Sequence, residues 1–82
     1  MKIENLVNNQ VIVHLNENSS FFSSYGTIIA KKENGVITLD EKYWNYSGTT
    51  TKYLSQYLGV GGKKYIEKNI ISGIYKLNNL NQ

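Results

Sequence analysis

The stretch Trp44–Gly59, WNYSGTTTKYLSQYLG, decides the fold because the sequence changes there from a strand pattern to a helical one. Ser47, Thr49 and Thr50 carry side-chain oxygens that accept hydrogen bonds from the free N–H groups of a first helical turn. Gly48 disfavours a helical start before it. The pattern therefore predicts an N-cap at Thr49 or Thr50.

One apolar stripe runs along this helix, formed by Tyr53, Leu54, Tyr57 and Leu58. The polar side chains expected on the opposite face are Lys52, Ser55 and Gln56. Gly59 is predicted to end the helix with positive φ. A helix of about ten residues is marginal alone in water, so it must be held by packing. We expect Trp44 to be buried and Tyr46 to pack beside it.

Strand patterns precede the helix. Val11–Leu15 alternates, with Ile12 and His14 expected on its less buried face. Phe21–Lys32 is predicted to form one long second strand, in which Gly26 marks a bulge or a close backbone approach. Asn34–Gly35 is a strong hairpin signal that pairs the third strand, Val36–Leu39, with the second. Residues 1–10 are expected to be a short helical turn or an irregular lead-in.

A second helix is predicted over Lys63–Ser72, with Gly73 as its C-cap. Its inward side chains are expected to be Ile66, Ile70 and Ile71. Ile74–Leu80 forms a possible last strand. The sequence thus predicts a single small α+β domain over residues 1–82, in which a three-stranded antiparallel meander is followed by two short helices and a possible C-terminal strand (βββααβ).

Composition excludes several kinds of site. The chain has no cysteine, one histidine and six scattered acidic residues, so disulfides and a structural zinc site are not expected. No cofactor or metal is predicted. No apolar run approaches the length of a membrane span, and we expect a cytoplasmic protein that does not contact the membrane.

The sequence offers no catalytic constellation, so the protein is predicted not to be an enzyme. His14 has no acid or thiol near it in the sequence and is expected to be structural. Asp40 and Glu41 are adjacent, so on a strand they would point to opposite faces. The segment Gly59–Lys64, GVGGKK, lacks the spacing and the Ser or Thr of a phosphate-binding loop. We expect a plain interhelical turn there.

Tyrosine and lysine are the residues that suggest binding. Seven tyrosines exceed what so small a core can hide, and tyrosine is enriched in binding surfaces. The candidates for a partly exposed patch are Tyr25, Tyr43, Tyr46, Tyr65 and Tyr75. Residues 1–41 carry three lysines and five acidic residues, whereas residues 42–82 carry six lysines and one glutamate. The partner-binding residues we predict are Tyr25, Tyr46, Tyr53, Lys63, Lys64 and Lys68.

An alternative function is DNA binding. Thr51–Gly73 resembles the helix-turn-helix of bacterial repressors, in which a Leu-Gly-Val turn joins two helices. The second helix would then present Lys63, Lys64 and Lys68 to nucleic acid. Gly61 and Gly62, however, are poor residues to begin a recognition helix. The chain also lacks arginine, the side chain that best forms bidentate bonds to guanine and phosphate.

Two blocks of the sequence match a recurring pattern of strand and helix residues. One block matches a Ser-Tyr-x-Thr-x-Ile-Ala strand through Ser24, Tyr25, Thr27, Ile29 and Ala30. The other matches a Trp-x-Tyr-Ser and Thr-Thr-x-Lys-Tyr helix start with a Leu-Gly close, through Trp44, Tyr46, Ser47, Thr49 or Thr50, Lys52, Tyr53, Leu58 and Gly59. Through these two blocks, residues 20–60 resemble a small uncharacterised domain family of Gram-positive phages and plasmids. Gly48 and the extra threonine depart from the family pattern.

The resemblance implies an accessory protein of a mobile element that acts by binding. The leading hypothesis is an inhibitor of a host defence protein, such as a nucleic-acid-binding CRISPR effector complex, so an anti-CRISPR-like role. The alternative is the small helix-turn-helix-like regulator, which would bind nucleic acid through the basic C-terminal half. The sequence does not give an oligomeric state.

Overall fold

Five consecutive strands form an antiparallel meander before the chain becomes helical. A computed structural model describes residues 1–81. The strands are β1 (Lys2–Val7), β2 (Gln10–Asn16), β3 (Ser19–Ser24), β4 (Thr27–Glu33) and β5 (Val36–Asp40). Each pairs with the next in sequence, so most sheet contacts join near neighbours in the chain.

Two helices and a last strand complete the fold. α1 (Gly48–Leu58) and α2 (Lys63–Ile71) connect β5 to β6 (Tyr75–Asn78), which lies parallel to β5. The result is a six-stranded mixed sheet in the order β1-β2-β3-β4-β5-β6. The fold is α+β, but the predicted βββααβ arrangement with its three-stranded meander is wrong because the meander has five strands.

One of the missed strands is β1, which lies in the region expected to be a lead-in. Ile3 pairs with Val13 of β2, and the turn between the two strands places Asn9 at φ 68°. Five of the six β1 residues are exposed, so the strand lacks the apolar alternation that reveals a buried one. The sequence feature that could have predicted this hairpin is the pair of turn residues Asn8 and Asn9, since asparagine tolerates positive φ.

The other missed boundary is a tight turn at Tyr25–Gly26, where the sequence predicted one continuous strand. Tyr25 and Gly26 have φ of 51° and 79°, and Ser24 pairs with Thr27 across them. Positive φ at both central residues is the condition for a two-residue hairpin turn of type I′. The bulge expected at Gly26 lies instead where the β3–β4 register shifts between Phe22 and Ser23.

The hairpin predicted at Asn34–Gly35 is confirmed. The two residues have φ of 51° and 82°, and Glu33 pairs with Val36 across them. This turn satisfies the same two-residue geometry with the dipeptide that most favours it.

The core lies between the sheet and the two helices. Its buried apolar side chains are Ile12, Phe22, Ile29, Ala30, Leu39, Leu54, Tyr57, Ile66 and Tyr75. The prediction for β2 is wrong, since its buried residues are Gln10 and Ile12 while Val11 and Val13 are half-buried. His14, on the same side as Ile12, places Nε2 3.2 Å from Oε1 of Glu4 at the exposed end of the strand.

The caps of α1 differ from the prediction at one end. Ser47, rather than Thr49 or Thr50, is the N-cap, and its hydroxyl accepts a 3.1 Å hydrogen bond from the Thr50 N–H. Gly48 is therefore the first helical residue, where it costs little because the first turn has few helical bonds to weaken. Gly59 ends the helix with φ 72°, as predicted.

Several side chains of the helical half lie elsewhere than predicted. Ser55, expected on the exposed face of α1, is buried and donates to the carbonyl of Thr51. Trp44 is half-buried at the margin of the core rather than inside it. In α2 Ile66 is fully buried, but Ile71, expected to point inward, is 86% exposed. Ile71 is the last residue of α2.

The segment after β6 returns to the middle of the sheet. β4 pairs with β5 only from Ala30 onward, which leaves Ile28 without a strand neighbour on that side. The side chain of Asn81 takes this place, since Oδ1 accepts from the Ile28 N–H at 2.8 Å and Nδ2 donates to the Ile28 carbonyl at 2.7 Å. Neither described helix is long and apolar enough to cross a membrane.

Candidate binding cleft

A cleft of about 270 Å³ opens where the β3–β4 turn meets the start of α1. Its lining residues are Ser24, Tyr25, Thr27, Ile29, Tyr43, Tyr46, Ser47 and Thr50. Tyr25 and Tyr46 are 69% and 73% exposed, so most of each ring is available to a ligand. We call this feature the tyrosine cleft.

Tyr25 is presented by the geometry of its turn. Its backbone N–H donates a 2.8 Å hydrogen bond to the carbonyl of Asn9, which ties the β3–β4 turn to the β1–β2 turn beside it. Positive φ at Tyr25 is uncommon for a bulky residue and places the ring outside the hairpin. A strained backbone conformation of this kind is typical of functional positions.

The opposite wall is held by Asp40. One of its carboxylate oxygens accepts from the backbone N–H groups of Lys42 and Tyr43, at 3.1 and 2.9 Å. The N–H of Tyr46 then donates to the Tyr43 carbonyl at 3.2 Å, and the two rings pack edge to face with their centres 5.9 Å apart. The segment that leads into α1 is thus fixed at its start, and its rings form one wall.

The floor of the cleft is a chain of three hydroxyl groups. The Ser47 hydroxyl donates to Oγ1 of Thr50, and Oγ of Ser24 lies 3.1 Å from the same atom. Ser24 and Thr50 are only 4% and 2% exposed. Ile29, buried beneath the rings, supplies an apolar surface beside these hydroxyls.

The cleft is electrically neutral. Its described lining contains no Asp, Glu, His or Lys side chain, and Lys42 lies outside it with Nζ 5.3 Å from the centre of the Tyr43 ring. Residues 1–81 hold no group of three His, Cys, Asp or Glu side chains close enough to bind a metal ion. What the cleft offers a ligand is ring surface and hydroxyl hydrogen bonds.

The six predicted binding residues fall on different surfaces. Tyr25 and Tyr46 meet at the tyrosine cleft, although they are far apart in the sequence. Tyr53 is half-buried on α1, where Lys52 lies 5.4 Å from its ring centre.

The three lysines belong to the α2 side of the molecule. Lys63 lines an open groove of about 500 Å³ between the two helices. Lys64 and Lys68 line a separate open surface of about 400 Å³ together with Ile71. The structure therefore separates Lys64 and Lys68 from the tyrosine cleft, whereas the groove at Lys63 shares Ser47 with it.

Sequence reasoning missed part of the cleft. Ser47 and Thr50 were interpreted only as capping residues, and Ser24 and Ile29 only as strand residues. Tyr75, proposed for the exposed patch, is 5% exposed and belongs to the core. The usable signal was the Tyr-Gly dipeptide at 25–26, because a glycine at the second central position is what a type I′ turn requires.

Residues 1–73 match a family described as a family of unknown function (DUF8033). The chain belongs to this family. The match includes every residue that lines the tyrosine cleft and ends before β6. No curated protein and no solved structure matches the chain. Since the DUF8033 description assigns no function or source, the phage or plasmid origin that the resemblance implies remains a prediction.

Proposed function

We propose that this domain is a non-enzymatic binding protein that recognises a partner protein through the tyrosine cleft. The observation that supports it is the pair of exposed rings, Tyr25 and Tyr46, on either side of a cleft with an apolar and hydroxyl-lined floor. Tyrosine supplies a large contact area at low cost in side-chain entropy and is enriched among residues that dominate binding energy. A concave site with a few convergent polar groups is a common form of binding site.

The chemistry of the cleft also favours binding over catalysis. Its hydroxyls have no neighbouring base, since no titratable side chain other than tyrosine lies among its described lining residues. Together with the resemblance to a family of mobile elements, this makes a host defence protein, such as a CRISPR effector, the first partner class to test.

The test compares capture of partners by three tagged proteins from a nuclease-treated lysate of a Gram-positive bacterium. These are the parent chain, the double variant Tyr25→Ala/Tyr46→Ala, and the control Tyr65→Ala. Tyr65 is 55% exposed on α2 and lies outside the cleft. We expect one partner to be retained by the parent and the control and lost by the double variant. Equal retention by all three proteins would overturn the proposal.

A second candidate function, DNA binding, is favoured by the lysines of α2. Lys63, Lys64 and Lys68 are exposed, and the ion pairs among residues 1–81 involve other residues. Such lysines can neutralise phosphates without reading sequence. α2 also begins at a glycine N-cap, Gly62, with no side-chain capping bond.

Salt dependence tests this second candidate. Lys64→Ala/Lys68→Ala should weaken duplex binding and reduce the slope of log affinity against log salt by about 2, whereas Lys2→Ala/Lys31→Ala should retain the parent slope. An unchanged slope in the α2 variant would exclude DNA binding by these lysines.

A further inference from the structure

The hydroxyl floor of the tyrosine cleft has one more donor than its own bonds use. Ser24, Ser47 and Thr50 carry three hydroxyl protons between them. Ser47 donates its proton to Thr50, and the contact between Ser24 and Thr50 uses one more, whichever of the two donates. One proton therefore has no acceptor among the described hydrogen bonds. A buried donor of this kind favours a ligand that brings an acceptor, such as a carbonyl oxygen.

The neutral lining restricts the ligand further. A phosphate or carboxylate would find no cation in the wall, and an ammonium group would find tyrosine rings but no carboxylate there. The rings of Tyr25 and Tyr46 and the buried Ile29 instead match an uncharged apolar group. The lining therefore favours a neutral segment that combines apolar side chains with unbonded carbonyls.

The strand edges next to the cleft are occupied. Ser24 pairs with Gln10 on one side and with Thr27 on the other. The N–H and the carbonyl of Ile28, which have no strand neighbour on the β5 side, are bonded to the Asn81 side chain. A peptide therefore finds no strand edge to extend here. The remaining extended conformation is polyproline II, which has no internal hydrogen bonds and keeps its carbonyls free for donors such as Ser24 and Thr50.

From these three observations, and resting on the proposed function, we propose that the tyrosine cleft binds an extended, uncharged, proline-rich segment of the partner protein. The proline rings pack against Tyr25 and Tyr46. One peptide carbonyl accepts the remaining hydroxyl proton of the Ser24–Thr50 pair. Recognition of this kind uses aromatic grooves and a ligand that is already ordered before it binds.

The test is a titration with a short polyproline peptide, followed through the fluorescence of Trp44, the only tryptophan, which adjoins Tyr43 in the chain. We expect saturable binding by the parent chain and none by Tyr25→Ala/Tyr46→Ala. Tyr65→Ala should bind as the parent does. The double variant Ser24→Ala/Thr50→Val should weaken binding about five- to tenfold, the effect of one hydrogen bond. Either single substitution leaves the other hydroxyl of the pair free to donate and should have a smaller effect. A peptide of the same length with alanine in place of proline should bind much more weakly.

Two results would overturn the inference: no saturable binding of polyproline, or equal binding of the alanine peptide. Because the Thr50 hydroxyl also accepts a hydrogen bond from the N-cap Ser47, each variant is first checked for an unchanged melting temperature. If the hydroxyl variant does not fold, the comparison of Tyr25→Ala/Tyr46→Ala with Tyr65→Ala and the alanine peptide remain the test. If the captured partner depends on Tyr25 and Tyr46 but polyproline does not compete for it, this inference fails and the proposed function stands. If polyproline binds but Tyr25→Ala/Tyr46→Ala captures the partner as well as the parent does, the proposed function fails.

Discussion

The carboxylate of Asp40 accepts a 2.8 Å hydrogen bond from the backbone N–H of Leu80, 40 positions away in the sequence. The same oxygen accepts from the Asn81 side chain at 3.1 Å, while the other oxygen accepts from the Lys42 and Tyr43 N–H groups. Asp40 is 1% exposed. One buried carboxylate therefore joins the end of β5, the wall of the tyrosine cleft and the segment after β6.

The first prediction concerns the ionisation of Asp40. Burial raises the pKa of its carboxyl, but the hydrogen bonds from Leu80, Tyr43, Asn81 and Lys42 outweigh burial and hold that pKa below its ordinary value. Asp40→Asn should lower the free energy of unfolding at pH 7 by about 3 kcal/mol, because an amide cannot accept all of these bonds. Urea unfolding measures the change.

The pH dependence of this loss follows from the sign of the shift. A depressed folded-state pKa contributes stability above the unfolded value of about 3.9 and loses it as the pH falls through the folded value. The stability difference between the parent and Asp40→Asn should thus be constant from pH 7 to pH 5 and shrink below about pH 4. Glu41→Gln, at the exposed neighbouring position, is the control. A difference that stays constant down to pH 2 would contradict the assignment.

Asn81 is predicted to protect the exposed edge of β4. Asn81→Ala leaves the N–H and the carbonyl of Ile28 without their partner, so the Ile28 amide should exchange with solvent at least tenfold faster. The loss in unfolding free energy should be about 1–2 kcal/mol. Hydrogen exchange followed by NMR gives both values. Asn5→Ala, at an exposed position in β1, should change neither value. Unaltered exchange at Ile28 in Asn81→Ala would show that Asn81 does not protect this amide.

Gln10 is predicted to destabilise the fold. Its side chain is 1% exposed, and neither amide atom has a hydrogen-bond partner among residues 1–81. Burial of an unpaired amide costs about 1–3 kcal/mol. Gln10→Met, of similar shape, should therefore raise the melting temperature, while Gln56→Met on the exposed face of α1 should leave it nearly unchanged. A less stable Gln10→Met would mean that the amide is satisfied in solution, as by a buried water molecule.

The two glycines at the ends of α1 should respond in opposite ways to the same substitution. A Cβ atom added at Gly48 or Gly59 meets nothing within 4 Å, so contacts do not differ between them. Gly59 has φ 72°, where a side chain costs about 1–2 kcal/mol, and Gly59→Ala should destabilise by that amount. Gly48→Ala should be neutral or stabilise by up to about 0.5 kcal/mol. Thermal unfolding of both variants tests the pair, and an equal effect would contradict the backbone explanation.

Local chemistry explains which parts of the fold could be predicted. The hairpin predicted at Asn34–Gly35 and the helix end predicted at Gly59 were correct because each depends only on a residue's tolerance for positive φ. β1 was missed because its stability comes from pairing with β2 rather than from its own apolar pattern. Ile71 was misplaced because it follows Ile66 by five positions, about 140° around an α-helix, so it does not share the face of Ile66 and Ile70.

The tyrosine cleft was predictable only in part, since Tyr25 and Tyr46 were singled out as binding residues. What brought them together is the turn at Tyr25–Gly26, and tyrosine rarely adopts the positive φ that this turn requires. The hydroxyl floor could not be predicted from the sequence because tertiary packing alone brings Ser24 into contact with Thr50.

The parallel pairing of β6 with β5 also affects the order in which the chain folds. Strands β1 to β5 are joined by short turns and make contacts that are local in sequence, whereas β6 reaches β5 only after the whole helical crossover is in place. We expect the meander to form early and loop closure around the helices to limit the folding rate. Because Tyr25 belongs to the early part and Tyr46 to the late one, a partly folded chain would carry half of the cleft and be unable to bind.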